Sequence, residues 1–277
     1  MPSPLISTDD LAARLGEPGL KIVDASWHLD GRDAWPDFEA ARIPGAVYFD
    51  LEASSDPRDD LPHMLPDPKR FAARMGRLGL SEGDDIVVYD TVGIRSAPRV
   101  WWMLRTLGAR DVRVLDGGLP RWRAHGRPIE TAAPEPIRAV TFRAALNRDA
   151  LADLDEVRDV LADGGQVLDA RSAPRFRGEA AEPRPGLRSG HMPGALNLPF
   201  PELLDEDGMM KRGAELETAF RQAGIDPDRP VITTCGSGVT AAILSLGLAE
   251  LGRSSRLYDG SWAEWGGRED TAVATGS

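Results

Sequence analysis

One cysteine, Cys235, stands alone among 277 residues. A disulfide framework and a cysteine-rich zinc site are therefore excluded within one chain, and such cysteine usage fits a reducing cytoplasm. No run of about 18 apolar residues occurs, so no helix is expected to span a membrane. The stretch from Met1 to Leu15 carries Asp9 and Asp10 and has no apolar core, so it does not read as a secretory leader. Positive charge is scarce: 33 Lys and Arg stand against 44 Asp and Glu, a net charge of −11. That balance argues against nucleic-acid binding and against docking on anionic membranes. Hydrophobic residues make up 42% of the chain, which excludes wholesale disorder. At about 150 residues per domain the length suggests two domains or one large one.

Internal similarity decides between these. Lys21-Ile22-Val23-Asp24-Ala25 matches Gln166-Val167-Leu168-Asp169-Ala170, with Asp24 and Asp169 145 residues apart. Arg42-Ile43-Pro44-Gly45-Ala46 matches His191-Met192-Pro193-Gly194-Ala195, and Ile86 to Asp90 matches Val231 to Cys235. Leu107-Gly108 pairs with Leu251-Gly252, and Leu115-Asp116-Gly117 with Tyr258-Asp259-Gly260. Five anchors in one order, at nearly one offset, predict a duplicated domain.

Each copy alternates short apolar strands with helices. Strands are expected at Ile22 to Asp24, Asp85 to Tyr89 and Val112 to Leu115, and helices over 68–80 and 97–107. The second copy repeats them at 167–168, 231–234 and 255–258, with helices over 216–223 and 241–251. Buried strands alternating with helices give an α/β fold with mostly parallel sheets. The Pro-rich stretch Thr131 to Pro136 reads as a connector between the copies.

The segment Thr233-Thr234-Cys235-Gly236-Ser237-Gly238-Val239-Thr240-Ala241 carries the chemistry. A buried strand ends at Thr234 and a helix starts near Val239, the place where open α/β sheets bind ligands. Two glycines let the backbone curl so that several N–H groups face one point, and the helix adds its positive end. A thiol in such a cradle loses its proton more easily. A cysteine merely filling a core needs neither flanking glycines nor a helix start.

Three other motifs compete for this loop. A cysteine phosphatase needs Arg six residues after the cysteine, where Ala241 stands. A nucleophile elbow needs Gly two residues before Ser237, where Cys235 stands. Gly236 to Ala241 does fit the dinucleotide pattern G-x-G-x-x-A. A dinucleotide fold, however, places that unit first, and the twin segment Asp90-Thr91-Val92-Gly93 lacks the pattern.

The Cys loop, the two Pro-Gly-Ala turns and the Asp-Gly-x...Trp closures at Asp116 to Trp122 and Asp259 to Trp265 resemble the two-domain rhodanese family of sulfurtransferases over nearly the whole chain. The resemblance implies two tandem rhodanese-like domains, each a mostly parallel sheet flanked by helices. The first, residues 1–133, has Asp90 at the cysteine position and is inactive. A linker spans 134–149, and the catalytic domain spans 150–277. The loop is similar to the 3-mercaptopyruvate version; the thiosulfate version carries Arg-Lys where this chain has Gly236-Ser237.

The resemblance also implies residue roles. Cys235 is the nucleophile, and Gly236, Gly238, Val239 and Thr240 line the cradle. Arg175 and Arg184 match the family's substrate-binding arginines, and a guanidinium can grip a carboxylate in a fixed plane. Ser237, His63 and Glu52 take the places of a Ser-His-acid relay, with Glu where the family has Asp. Arg171, Arg177 and Arg188 are read as solvated or structural, His191 as structural, and His28 and His125 as ordinary. The expected donor is 3-mercaptopyruvate and the acceptor an external thiol, a thioredoxin-like protein or cyanide. No metal or organic cofactor is implied. A thiosulfate:cyanide sulfurtransferase and a non-enzymatic sulfur-relay module are the alternatives.

Overall fold

The structure, a computed structural model, describes residues 3–276. Met1 and Pro2, at the start of the stretch read for a leader, lie outside the described residues, as does Ser277. The chain divides into two compact units: residues 1–57, 65–147 and 206–209 form the first, and 58–64, 148–205 and 210–277 the second. Among the described residues no helix is long and apolar enough to cross a membrane.

The first unit runs β1 (Leu5–Ile6), α1 (Thr8–Ala13), β2 (Leu20–Asp24), α2 (Trp35–Ala40), β3 (Ala46–Tyr48), α3 (Pro68–Arg77), β4 (Asp85–Tyr89), α4 (Ala97–Thr106), β5 (Asp111–Leu115) and α5 (Gly118–Ala124). The second repeats it: β6 (Leu151–Ala152), α6 (Leu154–Ala162), β7 (Gln166–Asp169), α7 (Ala173–Phe176), β8 (Leu196–Asn197), α8 (Gly213–Gln222), β9 (Val231–Thr234), α9 (Ala241–Glu250), β10 (Arg256–Tyr258) and α10 (Ser261–Trp265). Two short 3₁₀ turns, Arg148–Ala150 and Phe200–Leu203, complete it. Sheet order is β1-β5-β4-β2-β3 in one unit and β6-β10-β9-β7-β8 in the other. All pairings within both sheets are parallel. The duplicated α/β reading therefore holds element by element.

Local chemistry sets the boundaries. At α3, the Asp67 side chain accepts from Arg70 N–H at 3.0 Å, Pro68 opens the first turn, and Phe71 and Met75 are buried. The helix stops at Arg77 with Leu78 as its cap, ending as expected near Gly79, which takes a left-handed φ of 71°. Helix α9 lacks an amphipathic face: every residue from Ala241 to Leu248 is buried, as expected of a helix packed on all sides. The central strands β4 and β9 are buried almost throughout. From β7 the chain crosses to β8 on one side of the sheet, and from β9 to β10 on the other. The carboxyl ends of β7 and β9 therefore flank a topological switch point, and Cys235 lies there.

Asp24 and Asp169 end equivalent strands in different surroundings. Asp169 Oδ2 accepts from Arg171 Nε and Nη2 at 2.9 and 2.7 Å. Asp24 has Ser26 at the corresponding place, whose N–H donates to Oδ1 at 2.9 Å. Burial, with Asp90 also adding negative charge nearby, pushes its carboxyl up to about 6. An unfolded Asp titrates near 4, so ionising Asp24 costs the native state. The stability held by its neutral form is full below about pH 4 and is lost as pH rises through about 6, a change of about 3 kcal/mol. Asp24→Asn is therefore expected to raise the melting temperature at about pH 8 and to leave it unchanged near pH 4. Equal shifts at both pH values would show that Asp24 does not titrate in this way.

Candidate active site

Cys235 follows β9 directly and is 2% exposed. Its carbonyl accepts from Trp262 N–H and that of Gly236 from Ala263 N–H, both at 2.9 Å. Gly238 has φ 77°, the left-handed geometry that glycine permits. Gly236 leaves room for a neighbour: a Cβ there would make a tight contact, 3.0 Å, with Arg175 Nη2. The N–H groups from Gly236 to Ala242 meet no protein acceptor among the described residues.

The twin loop shows what such donors take. In the first unit Asp90 occupies the cysteine position, and its Oδ2 accepts from Arg95, Ser96 and Ala97 N–H at 2.8, 2.9 and 2.9 Å. Its Oδ1 accepts from Val92 N–H at 3.1 Å. The helices that follow the two loops start at Ala97 and Ala241, so the equivalent donors are those of Val239, Thr240 and Ala241. One half of the protein fills its cradle with its own carboxylate. The other offers the same backbone donors beside a thiol.

Ser261, at the start of α10, was missed in the sequence. Its φ is 50°, in the left-handed region, where its twin Gly118 has 54°. Ser261 Oγ donates to Tyr258 O at 2.9 Å and accepts from Cys235 N–H at 3.3 Å. A serine at a glycine conformation is strained by roughly 1–3 kcal/mol, and the hydroxyl that it adds holds the Cys235 backbone. The Gly118/Ser261 difference between the copies was the available signal. Ser261→Gly relieves strain and loses two hydrogen bonds, effects of opposite sign and of about 1–3 kcal/mol each. Stability is expected to stay within about 1 kcal/mol of wild type while Cys235-dependent turnover falls about tenfold. Ser261→Ala keeps the strain and loses both bonds, so it should cost about 2 kcal/mol of stability. Unchanged turnover in both variants would remove Ser261 from the site.

Ser237 is 4% exposed, and its Oγ lies 3.0 Å from His63 Nδ1. Although His63 comes from the first half of the sequence, residues 58–64 belong to the second compact unit. His63 is 3% exposed with φ 63°, a further strained position beside the loop. Glu52 lies in the first unit on an exposed turn, and its Oε1 accepts from Trp27 Nε1 at 2.8 Å.

Arg175, on the short helix α7, brings Nη2 against Gly236. Glu182 grips it from behind, with Oε1 accepting from Nε at 3.2 Å and Oε2 from Nη2 at 2.5 Å. Arg184 is half-buried on the bend two residues after Glu182. Of the arginines set aside as solvated or structural, Arg171 is fully buried between Asp169 and Glu182. Arg177 pairs with Glu179. Arg188 donates to the carbonyls of Trp265, Gly266, Arg268 and Thr271. All three serve structure. So does His191, which stacks on Phe176 at 3.9 Å and bonds Phe176 O through Nδ1. His28 pairs with Asp37 and His125 with Thr8.

A buried thiol at a switch point, a loop of backbone donors and a serine–histidine pair therefore lie together in the second unit, the residue types that covalent catalysis uses. The Rhodanese-like domain matches residues 7–125 and again residues 153–268, and the chain belongs to this family in its tandem, two-domain form. It is 44% identical to a 3-mercaptopyruvate sulfurtransferase of Escherichia coli (97% of this chain, 96% of the relative). It is 42% identical to the mitochondrial thiosulfate/3-mercaptopyruvate sulfurtransferase 1 of Arabidopsis thaliana (98% of this chain, 78% of the relative). The crystal structure of the E. coli 3-mercaptopyruvate enzyme SseA superposes with a TM-score of 0.86 at 40% identity, covering 94% of this chain and 99% of that one.

Proposed function

We propose that this protein is a 3-mercaptopyruvate sulfurtransferase working through a Cys235 persulfide. The observation that carries the reading is the loop itself. Cys235 is followed by uncharged Gly236 and Ser237, and Ser237 is hydrogen-bonded to His63. The Cys235 sulfur attacks the sulfur of mercaptopyruvate. A bond forms between the two sulfurs, the carbon–sulfur bond breaks, and its electron pair leaves on the pyruvate enolate. The enolate carbon then takes a proton, delivered through Ser237 and His63, with Glu52 as the acid of the relay. The persulfide is held by the N–H groups of Gly236 to Ala242. Arg175 and Arg184 grip the substrate carboxylate and keto oxygen.

Release of pyruvate completes the first half of a ping-pong cycle. With no second cysteine in the sequence to resolve the persulfide, the outer sulfur passes to an external thiol, a thioredoxin-like protein or cyanide. Residues 1–133 act as the inactive domain, 134–149 as linker and 150–277 as the catalytic domain. The lone cysteine supports a reducing, cytoplasmic setting.

The second reading is a thiosulfate sulfurtransferase, favoured by the double-donor name of the Arabidopsis relative. Thiosulfate carries two charges next to the transferred sulfur, and no side-chain cation stands at 236 or 237 to meet the second. Attraction between unit charges about 4 Å apart is worth about 4 kcal/mol at an effective dielectric of 20. Losing part of it should leave thiosulfate more than tenfold behind. Steady-state kcat/KM for the two donors with one acceptor decides this. A preference for thiosulfate would overturn the donor assignment.

A further inference from the structure

Four charged side chains in the second unit form one alternating ladder: Asp169, Arg171, Glu182, Arg175. Arg171 is held on one side by Asp169, and its Nη2 also donates to Gly190 O at 2.9 Å. Its guanidinium lies 4.3 Å over the ring of Trp262, the residue whose backbone N–H donates to the Cys235 carbonyl. On the other side Arg171 Nη1 donates to Glu182 Oε1 at 2.8 Å. The Glu182 side chain is 1% exposed, and it binds Arg175 side-on through Nε and Nη2. Arg175 is the only rung open to solvent, at 20%.

A guanidinium has five N–H groups, so two are fixed by Glu182. The remaining three have no acceptor among the described residues. The ladder carries two cations and two carboxylates, so its formal charge is zero. Arg175 therefore presents directional donors to the space beside Cys235 without excess positive charge behind them.

We infer that Glu182 is a positioning and donor-selecting residue. Its grip aims Arg175 past Gly236, and its negative charge sets the clamp to favour a monoanionic donor over a dianionic one. This rests on the sulfurtransferase reading above and deepens it. A carboxylate shared between two guanidinium groups fixes both more tightly than a neutral group could. Its charge also repels each further negative charge brought near Arg175. A 3-mercaptopyruvate carboxylate brings one such charge and thiosulfate brings two, so the repulsion separates the two donors.

The test compares kcat/KM for mercaptopyruvate and for thiosulfate in wild type, Glu182→Gln and Glu182→Asp. Glu182→Gln keeps the shape and removes the charge. It should lower mercaptopyruvate use at least tenfold, mainly through KM, and raise the thiosulfate-to-mercaptopyruvate ratio at least tenfold. Glu182→Asp keeps the charge and withdraws the reach to Arg175. It should lower mercaptopyruvate use at least fivefold without raising that ratio. Damage to the fold alone lowers both donors together and leaves the ratio in place, so an unchanged ratio in Glu182→Gln overturns the inference. Should that variant fail to fold, wild-type mercaptopyruvate kinetics in Glu182→Asp would overturn it equally. If the wild type does not use mercaptopyruvate at all, the donor assignment fails instead. The charge argument is then judged by whether Glu182→Gln raises thiosulfate use on its own.

Discussion

Cys235→Ser is expected to reduce sulfur transfer to background, a loss on the order of 10⁴-fold or more, while the protein stays folded. The serine hydroxyl is nearly the size of the thiol and can stay among the same backbone donors, but it cannot form the sulfur–sulfur bond on which the cycle depends. The packing around position 235 gives no reason for collapse. The loop is held through backbone bonds from Trp262 and Ala263 and through Ser261 Oγ, and none of them involves the Cys235 side chain. Melting temperature and far-ultraviolet circular dichroism should match wild type. Residual turnover within tenfold of wild type would mean that another group carries the sulfur.

Arg175→Ala should produce the next largest loss. In the proposed complex, deleting the guanidinium removes a charge-assisted hydrogen bond to the substrate carboxylate, worth about 1.5–3 kcal/mol, or roughly 10- to 150-fold in kcat/KM. The variant also leaves Glu182 with Arg171 as its remaining charged partner, so the carboxylate stays compensated and the fold should hold. Arg175→Lys restores the charge but not the planar fork, and it should recover only part of the loss. An Arg175→Ala variant with unchanged KM and kcat for mercaptopyruvate would take Arg175 out of substrate binding.

Most of the architecture was legible in the sequence because the chain states it twice. Matching a strand, a turn and a closing Asp-Gly element across the two halves fixed the duplicated parallel α/β layout. The buried strands Asp85 to Tyr89 and Val231 to Thr234 fall where expected. The two-residue edge strands β1 and β6 carry too little periodicity to be read. The five-residue helix α10 owes its place to its bonds with the Cys loop rather than to its own pattern.

At the site, the cysteine loop at the end of β9 and the serine–histidine contact were readable, the latter through family resemblance. The supporting residues were not. Gly236 looked like a source of backbone freedom, whereas its lack of a side chain makes room for Arg175. Arg171 looked like one of several arginines in a charged loop, and only its burial between two carboxylates shows its role. Ser261 needed its backbone angle to be noticed. Burial and dihedral angles are properties of the folded chain, and residue types in a polar loop do not encode them.

In the proposed cycle, sulfur from mercaptopyruvate comes to rest on Cys235, and intact mass spectrometry tests this most directly. Purified protein incubated with 3-mercaptopyruvate, without any acceptor, should gain the mass of one sulfur atom. That mass should disappear on adding cyanide or a thiol, and the Cys235→Ser variant should gain nothing. A wild-type protein that releases pyruvate yet never carries the added sulfur, or a Cys235→Ser protein that does, would contradict the persulfide mechanism.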